Sequence, residues 1–207
     1  PQGAEPGQGH RRDQEAYGGA GGLRKPALLA VLALVWGAAE GFLFFVVPDV
    51  LISAIALRRG FRAGVLACLM AAIGAALGGA AMYGWSARSP LEARRTVAAV
   101  PAISESMITA AEADIRHHGW LVAALEGPMT STPYKVYAML APAEGVSLPA
   151  FVAAAVPVRL PRFLFVALFF AGLRRLATGR IKTPGLWAGF TGGWLAFYVM
   201  FWASHPG

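Results

Sequence analysis

Of the 207 residues, 57% are hydrophobic and 14% charged, against about 25% charged in an ordinary soluble domain, so the polar surface needed to cover a water-facing core is missing and a bilayer is the expected solvent. A spanning helix takes about 20 mainly apolar residues, which leaves room for roughly four to six membrane segments in one domain and none for a second. The formal charge of +7 lies in short clusters between apolar runs, such as Arg58-Arg59-Gly60-Phe61-Arg62 and Arg174-Arg175, which is the pattern of helix ends beside anionic headgroups and argues against a nucleic-acid surface.

Residues 1–25 are rich in Gly, Gln and charge without an apolar period, and read as a disordered or leader segment ahead of a transmembrane domain over 26–205. From Pro26 to Leu57 the chain is nearly all apolar, interrupted by Glu40, Pro48 and Asp49. Thirty-odd residues are too many for one upright helix, and Pro48 removes a backbone donor, so the run is expected to break there. The break separates either a spanning helix from a short second one, or the two arms of a re-entrant hairpin.

Residues 61–87 form a second apolar run in which Gly74, Gly78 and Gly79 allow close helix packing; it also holds the one cysteine, Cys68, so neither a disulfide nor a zinc site is expected. These glycines follow no strand and lack the Lys-Ser/Thr of a phosphate loop, and no nucleotide, metal or other cofactor is assigned. Residues 88–118 carry nearly balanced charge and read as one or two amphipathic surface helices. Within them His117-His118 reads as a solvated pair, because adjacent histidines diverge on a helix and no third ligand is apparent.

From Trp120 to about Val146 the apolar stretch is broken at Gly127-Pro128, at Thr130-Ser131-Thr132-Pro133 and at Pro142, which predicts a second re-entrant hairpin shielded from lipid by protein. Residues 147–173 and 184–203 read as two more helices around the basic loop 174–182, with Pro161 marking a break in the first. Trp187, Trp194, Tyr198 and Trp202 are expected in aromatic belts at the ends of the second. The fold expected is all-α: a polytopic membrane protein with two opposed re-entrant helical hairpins and about three to four transmembrane helices. With the first segment re-entrant, Arg24-Lys25, Arg58-Arg59-Arg62 and Arg174 to Lys182 share one side, which the positive-inside rule makes cytoplasmic together with the N-terminus.

The two interrupted segments hold corresponding places in two halves, one with Glu40, Pro48 and Asp49, the other with Pro133, Tyr134 and Lys135. Paired interruptions of this kind point to a transporter binding site between repeats of opposite topology. They also carry a resemblance. The run Glu40-Gly-Phe-Leu-Phe-Phe-Val-Val-Pro48-Asp49-Val-Leu-Ile, followed by Gly78-Gly79 and Tyr83-Gly84, resembles the first half of the DedA family, also called SNARE-associated or VTT-domain proteins. Met-Thr-Ser-Thr-Pro133-Tyr134-Lys135-Val136 and Arg159-Leu-Pro-Arg162-Phe163 are similar to motifs of the second half in the branch with a Pro-Asp-Val-Leu tip. The likeness runs from about Ala27 to Leu173, with departures at Ser131, Ala141-Pro142 and Val158 that bear on the shape of the second hairpin.

The resemblance implies an inner-membrane protein of bacteria that translocates a phospholipid or polyprenyl phosphate, with protons as the driving ion. On that expectation Lys135, Arg159, Arg162 and Tyr134 bind the anionic headgroup, Glu40 and Asp49 take up and release protons, and Pro48 and Pro133 break the hairpins. Cationic partners suit a phosphate at membrane depth, and desolvation raises the pKa of a carboxylate there. Competing roles stand beside these: Glu40 as a structural ion-pair partner, Asp49 as a helix cap, Lys135 as a snorkelling side chain, and Arg159 and Arg162 as headgroup anchors. Two other classes remain open. An intramembrane enzyme on lipid phosphates lacks a Ser/His or Cys/His pair at depth, and a non-catalytic scaffold needs no site at all.

Overall fold

The computed structural model describes residues 27–180 and 182–204. The segment 1–25 and the Arg24-Lys25 cluster lie outside the described residues. Among those described there is no strand, and nine helices follow one another: α1 (Ala27–Phe42), α2 (Asp49–Arg59), α3 (Phe61–Arg88), α4 (Pro90–Ala98), α5 (Glu105–His118), α6 (Trp120–Thr130), α7 (Tyr134–Leu140), α8 (Leu148–Ala177) and α9 (Thr183–Ser204). Three of them, α3, α8 and α9, are long and apolar enough to cross a membrane. The fold is therefore an all-α polytopic membrane protein.

Directions follow from pairwise contacts along α3, whose start defines the first face of the molecule and whose end defines the second. Gly74 lies against Leu34 and Gly78 against Ala38, so α1 runs parallel to α3. A Cβ on either glycine would stand 2.0 Å from a carbonyl oxygen of α1. Only hydrogen fits there, which is the close approach that small residues permit in lipid. The end of α2 returns to the start of α1, where Ile55 and Arg59 share a small cleft with Leu29 and Ala30. An 11-residue helix is only about 16 Å long, half the hydrocarbon thickness, so α1 and α2 form a re-entrant hairpin (hairpin one) that enters and leaves by the first face. Gly60, at φ +86°, turns the chain into α3 with Arg174 folded over it.

On the second face α4 and α5 lie as two polar helices. Arg94 bridges them through Glu105 at 2.9 Å and through Glu112, and the Glu112 hydrogen bond raises the guanidinium pKa above its usual value. The chain then dips back as α6 and α7. Trp120 Nε1, at the start of α6, donates to the Tyr137 carbonyl at 2.8 Å, and Gly127 faces the Tyr137 ring, so the two short helices are antiparallel arms of hairpin two. Tyr83 and Ser86 at the end of α3 donate to the carbonyls of Val146 and Met139 at 2.7 Å, which returns hairpin two to the second face.

α8 crosses back antiparallel to α3: Phe151 meets Gly79, Ala167 meets Gly64, and Arg174 reaches Gly60. Two apolar clusters result. One joins hairpin two, α5, the later half of α3 and the first turns of α8; the other joins hairpin one, the earlier half of α3 and the later turns of α8.

Two expectations are corrected. No break falls at Gly127-Pro128, because Pro128 sits inside α6; the break expected at Thr130 to Pro133 is the one that holds, with Ser131 at φ +61°. α8 is unbroken through Pro157 and Pro161, because packing on both halves holds the helix although prolines withhold amides. The aromatic residues Trp194, Tyr198 and Trp202 of α9 also have a packing role that the sequence reading did not assign. Spaced four apart, they share one helical face turned to hairpin one: Trp194 donates to Ser53 Oγ at 3.1 Å, the Tyr198 hydroxyl accepts from the Val47 amide at 3.2 Å, and Trp202 packs on Phe45.

Candidate functional site

The tips of the two hairpins meet at mid-depth. Glu40 lies in the last turn of α1, and the segment 43–48 that follows has no regular helix to satisfy it. Its polar groups find protein partners instead: Trp36 Nε1 donates to the Val46 carbonyl at 2.9 Å, and the Val47 amide uses Tyr198. Backbone of this kind survives at membrane depth only when enclosed. Pro48 is the N-cap of α2 and is fully buried, so it starts the second arm and does not end the first. Asp49, next in line, makes no capping hydrogen bond; its carboxylate is turned to α8.

Hairpin two reaches the same level from the opposite face. Pro133 is the N-cap of α7, in extended backbone at φ −64° and ψ 142°, the conformation its ring favours. Tyr134 and Lys135 follow in the first turn, both buried.

Between the tips lies a cavity of about 270 Å³. Its walls come from both hairpins, from Arg159 and Arg162 of α8, from α9 and from the α4–α5 connection 99–104. Arg159 Nη2 donates to Glu40 Oε2 at 2.6 Å, and Arg162 Nη2 donates to Asp49 Oδ2 at 2.7 Å. Each acid of hairpin one is thus bound to an arginine of α8 from the other half. The first pair is enclosed, with side chains 7% and 3% exposed; in the second, Arg162 is 33% exposed and reaches the cavity. Arg159 also lies over the rings of Tyr134 and Phe163, at 5.1 and 4.8 Å from their centres.

Lys135 differs from both arginines. It is 2% exposed, lines the cavity, and makes neither a hydrogen bond nor an ion pair among the described residues. Its charge interacts with those of Glu40 and Arg159, but neither bonds to it. Three cations therefore face two carboxylates. Three polar atoms nearby are buried without a hydrogen-bond partner: the Tyr134 hydroxyl, Arg159 Nε and Asp49 Oδ1. An enclosed polar atom left unpaired costs about 1–3 kcal/mol, more when charged; Asp49 Oδ1 is an acceptor, but the two unspent donors, the Tyr134 hydroxyl and Arg159 Nε, together with Lys135, mark a place suited to an acceptor.

The structure thus gathers Glu40, Tyr134, Lys135, Arg159, Arg162 and Pro133 onto one cavity, with Asp49 behind Arg162 and Pro48 beneath Asp49. Several participants gave no signal in the sequence. Ala102 and Ser131 are the two non-glycine residues with positive φ among those described, +64° and +61°, and both line the cavity. Tyr137 and Tyr198 line it too; for Tyr198 the four-residue spacing with Trp194 and Trp202 was the available clue.

On the second face His117 and His118 are both exposed, as expected of a solvated pair, but His118 has neighbours that the sequence did not show. His118 Nδ1 lies 2.8 Å from Asp114 Oδ1, and Glu126 of α6 completes a group whose ligand atoms fall within 4.8 Å. Asp114 was in reach by its i,i+4 spacing, whereas Glu126 arrives only because α6 folds back on α5.

No protein-family model, no curated protein and no solved structure matches this chain. What fold and site define together is an all-α polytopic membrane protein whose charged residues converge at mid-depth.

Proposed function

We propose that the protein is a lipid transporter or flippase that carries an anionic phospholipid or polyprenyl phosphate across a bacterial inner membrane, as its resemblance to the DedA family implies. The observation that carries the reading is Lys135, a buried cation without a bonded partner, facing a cavity shared by two opposed hairpins. A phosphate oxygen bound there gains charge-assisted hydrogen bonds from Lys135 and from the unspent Arg159 Nε, and Tyr134 supplies a hydroxyl donor. The aromatic side of the cavity, formed by Phe45, Phe197 and Phe201, suits the start of the acyl or prenyl chain.

Proton coupling belongs to the same reading. An anion bound to Arg159 or Arg162 competes with Glu40 or Asp49 for the guanidinium, and a carboxylate that loses its partner in a dry site takes up a proton. The first face is assigned to the cytoplasm because Arg58, Arg59, Arg62, Arg174, Arg175, Arg180 and Lys182 gather there, whereas acids balance bases on α4 and α5.

Reconstitution into liposomes tests this and separates it from its rivals. Movement of labelled anionic lipid is the expected outcome; release of inorganic phosphate with no movement would indicate an enzyme, and neither would indicate a scaffold. Glu40→Gln is expected to abolish movement while leaving insertion intact, and a wild-type rate across pH in that variant would make Glu40 purely structural. Lys135→Ala, Arg159→Ala and Arg162→Ala should weaken binding of anionic headgroups and affect neutral ones much less. Equal loss for both kinds of lipid in all three variants would overturn the site.

A further inference from the structure

A second recess opens on the second face, between α5 and the break of hairpin two. It measures about 550 Å³ and is lined by Ser104, Ser106, Asp114, Thr130, Thr132 and Tyr137. Thr132 and Tyr137 also line the central cavity, so these two side chains form a wall that the two spaces share. Their chemistry is opposite. The central cavity holds three cations, whereas no lysine or arginine lines the outer groove, which offers hydroxyl oxygens and the carboxylate of Asp114. Glu126 adds a second carboxylate at the Asp114 end, and the charges of both acids reach Tyr137.

The hydroxyls are partly committed and partly free. Thr130, Thr132 and Tyr137 form one hydroxyl network: Thr130 Oγ1 lies 3.1 Å from both the Gly127 carbonyl and Thr132 Oγ1, and both threonines hydrogen-bond the Tyr137 side chain, which leaves lone pairs to accept from a ligand. Ser104 Oγ caps α5 by accepting from the Met107 amide at 3.2 Å. Asp114 uses Oδ1 on His118 and has further acceptor capacity on Oδ2. A groove so equipped is mainly an acceptor of hydrogen bonds. It repels a bare anion and welcomes a group that carries donors.

The dividing wall is also where the backbone is strained. Ala102 and Ser131, the non-glycine residues with positive φ among those described, both line the central cavity, one in the α4–α5 connection and one in the hairpin break beside Thr132. Such conformations cost about 1–3 kcal/mol and persist where surrounding structure over-determines them, typically at ligand clamps and switch regions.

We infer that the outer groove is a second subsite that holds the donor-bearing substituent of a phosphodiester headgroup, of the phosphoglycerol kind, while the phosphate sits on Lys135 in the central cavity. The inference rests on the phosphate reading of that cavity and narrows it: the preferred cargo is a diester with a hydroxylated second substituent, not a phosphomonoester such as a polyprenyl phosphate. Thr132 and Tyr137 are the residues the headgroup passes between. A lipid so placed points its chains to the aromatic wall of hairpin one and α9 and its polar end to the second face.

Phosphatidylglycerol and phosphatidylmethanol with identical chains make the test, because both are singly charged phosphodiesters and differ in whether the substituent can donate. Binding to the full chain in nanodiscs is expected to favour phosphatidylglycerol by about ten-fold, the effect of one or two net hydrogen bonds. Asp114→Asn with Ser106→Ala should bring the two lipids within about two-fold of each other. Thr132→Val should narrow the gap without removing Asp114, which guards against a fold defect in the double variant. Equal affinity of the wild-type protein for the two lipids, with Lys135→Ala weakening both, refutes the groove and leaves the phosphate site standing. Were Lys135→Ala to weaken neither, the phosphate site itself would fail and the groove with it. A persistent ten-fold preference in every groove variant would also refute the inference, since the discrimination would then arise elsewhere.

Discussion

Hairpin one and hairpin two enter from opposite faces, break at a proline and end beside the same cavity, yet they are built for different tasks. Hairpin one is locked: its two carboxylates are bonded to α8, and its long arm lies so close to α3 that Gly74 and Gly78 touch carbonyl oxygens. Hairpin two is held by aromatic packing of Tyr134, Trp120 and Phe151 and by single hydrogen bonds, and its cation is left unbonded. The lesson is that ionic groups at membrane depth divide between holding the frame and waiting for a ligand, and bonding pattern, not burial, tells them apart. Glu40 and Lys135 are equally buried at 2%, but only Glu40 has a partner.

That contrast is breakable, and the largest effect should come from its locked side. Glu40→Gln leaves Arg159 as an enclosed charge without its carboxylate, which costs about 3–5 kcal/mol in thermal or denaturant unfolding. Replacing both partners, Glu40→Gln with Arg159→Met, should restore most of that stability without restoring transport. Asp49→Asn should cost clearly less, because Arg162 is a third exposed and keeps access to the cavity. Next comes Gly78→Ala, whose Cβ would stand 2.0 Å from the Ala38 carbonyl oxygen; backbone must move, and a loss of about 3 kcal/mol is expected, read as a lowered Tm in detergent.

On the unlocked side the sign is predicted to reverse. Lys135→Ala should lower affinity for an anionic headgroup by about 1.5–3 kcal/mol, roughly ten- to a hundred-fold, while the empty protein keeps or gains stability, since an unbonded buried charge has been removed. A fall in Tm as large as that of Glu40→Gln would erase the distinction between the hairpins. The smallest effect is a control: Gly84 has open space around its missing Cβ, and Gly84→Ala in the same helix as Gly78 should gain about 0.5–1 kcal/mol. Topology can be checked alongside. Single cysteines near Arg59 and Thr178, in a Cys68→Ser background, should be shielded together from an impermeant reagent added outside, because Gly60 and Arg174 touch in the structure.

Much of this was legible because bilayers impose severe rules on sequence. An apolar run too long to be one helix and too short to be two spanning ones, with a proline near its middle, has few solutions, and the run ending at Leu57 takes the hairpin. The charges at depth were legible for the same reason: Glu40, Lys135 and Arg159 are conspicuous where charge is expensive. Their pairing was not, since a carboxylate 119 residues from its arginine leaves no local trace. Nor was the outer groove, for serine and threonine are unremarkable in a turn and acquire meaning only when α5 and hairpin two bring them together. Pro161 misled because a proline in isolation predicts a break, whereas in α8 flanking packing overrides it. The packing role of the α9 aromatic stripe was legible only in its spacing of four, since residues that favour membrane interfaces are also good packing partners.

The two prolines of α8 have a mechanical consequence. A proline at position i supplies no amide to the carbonyl at i−4, so the ladder of α8 lacks its rungs at Ala153 and Pro157, the second of which would span the turn that bears Arg159. The same stretch separates the two apolar clusters, Val158 belonging to one and Phe163 to the other. α8 is thus a rod about 45 Å long whose bending stiffness is least at the level of the cavity. Any tilt of one half of the molecule against the other concentrates there, at the two arginines that grip hairpin one.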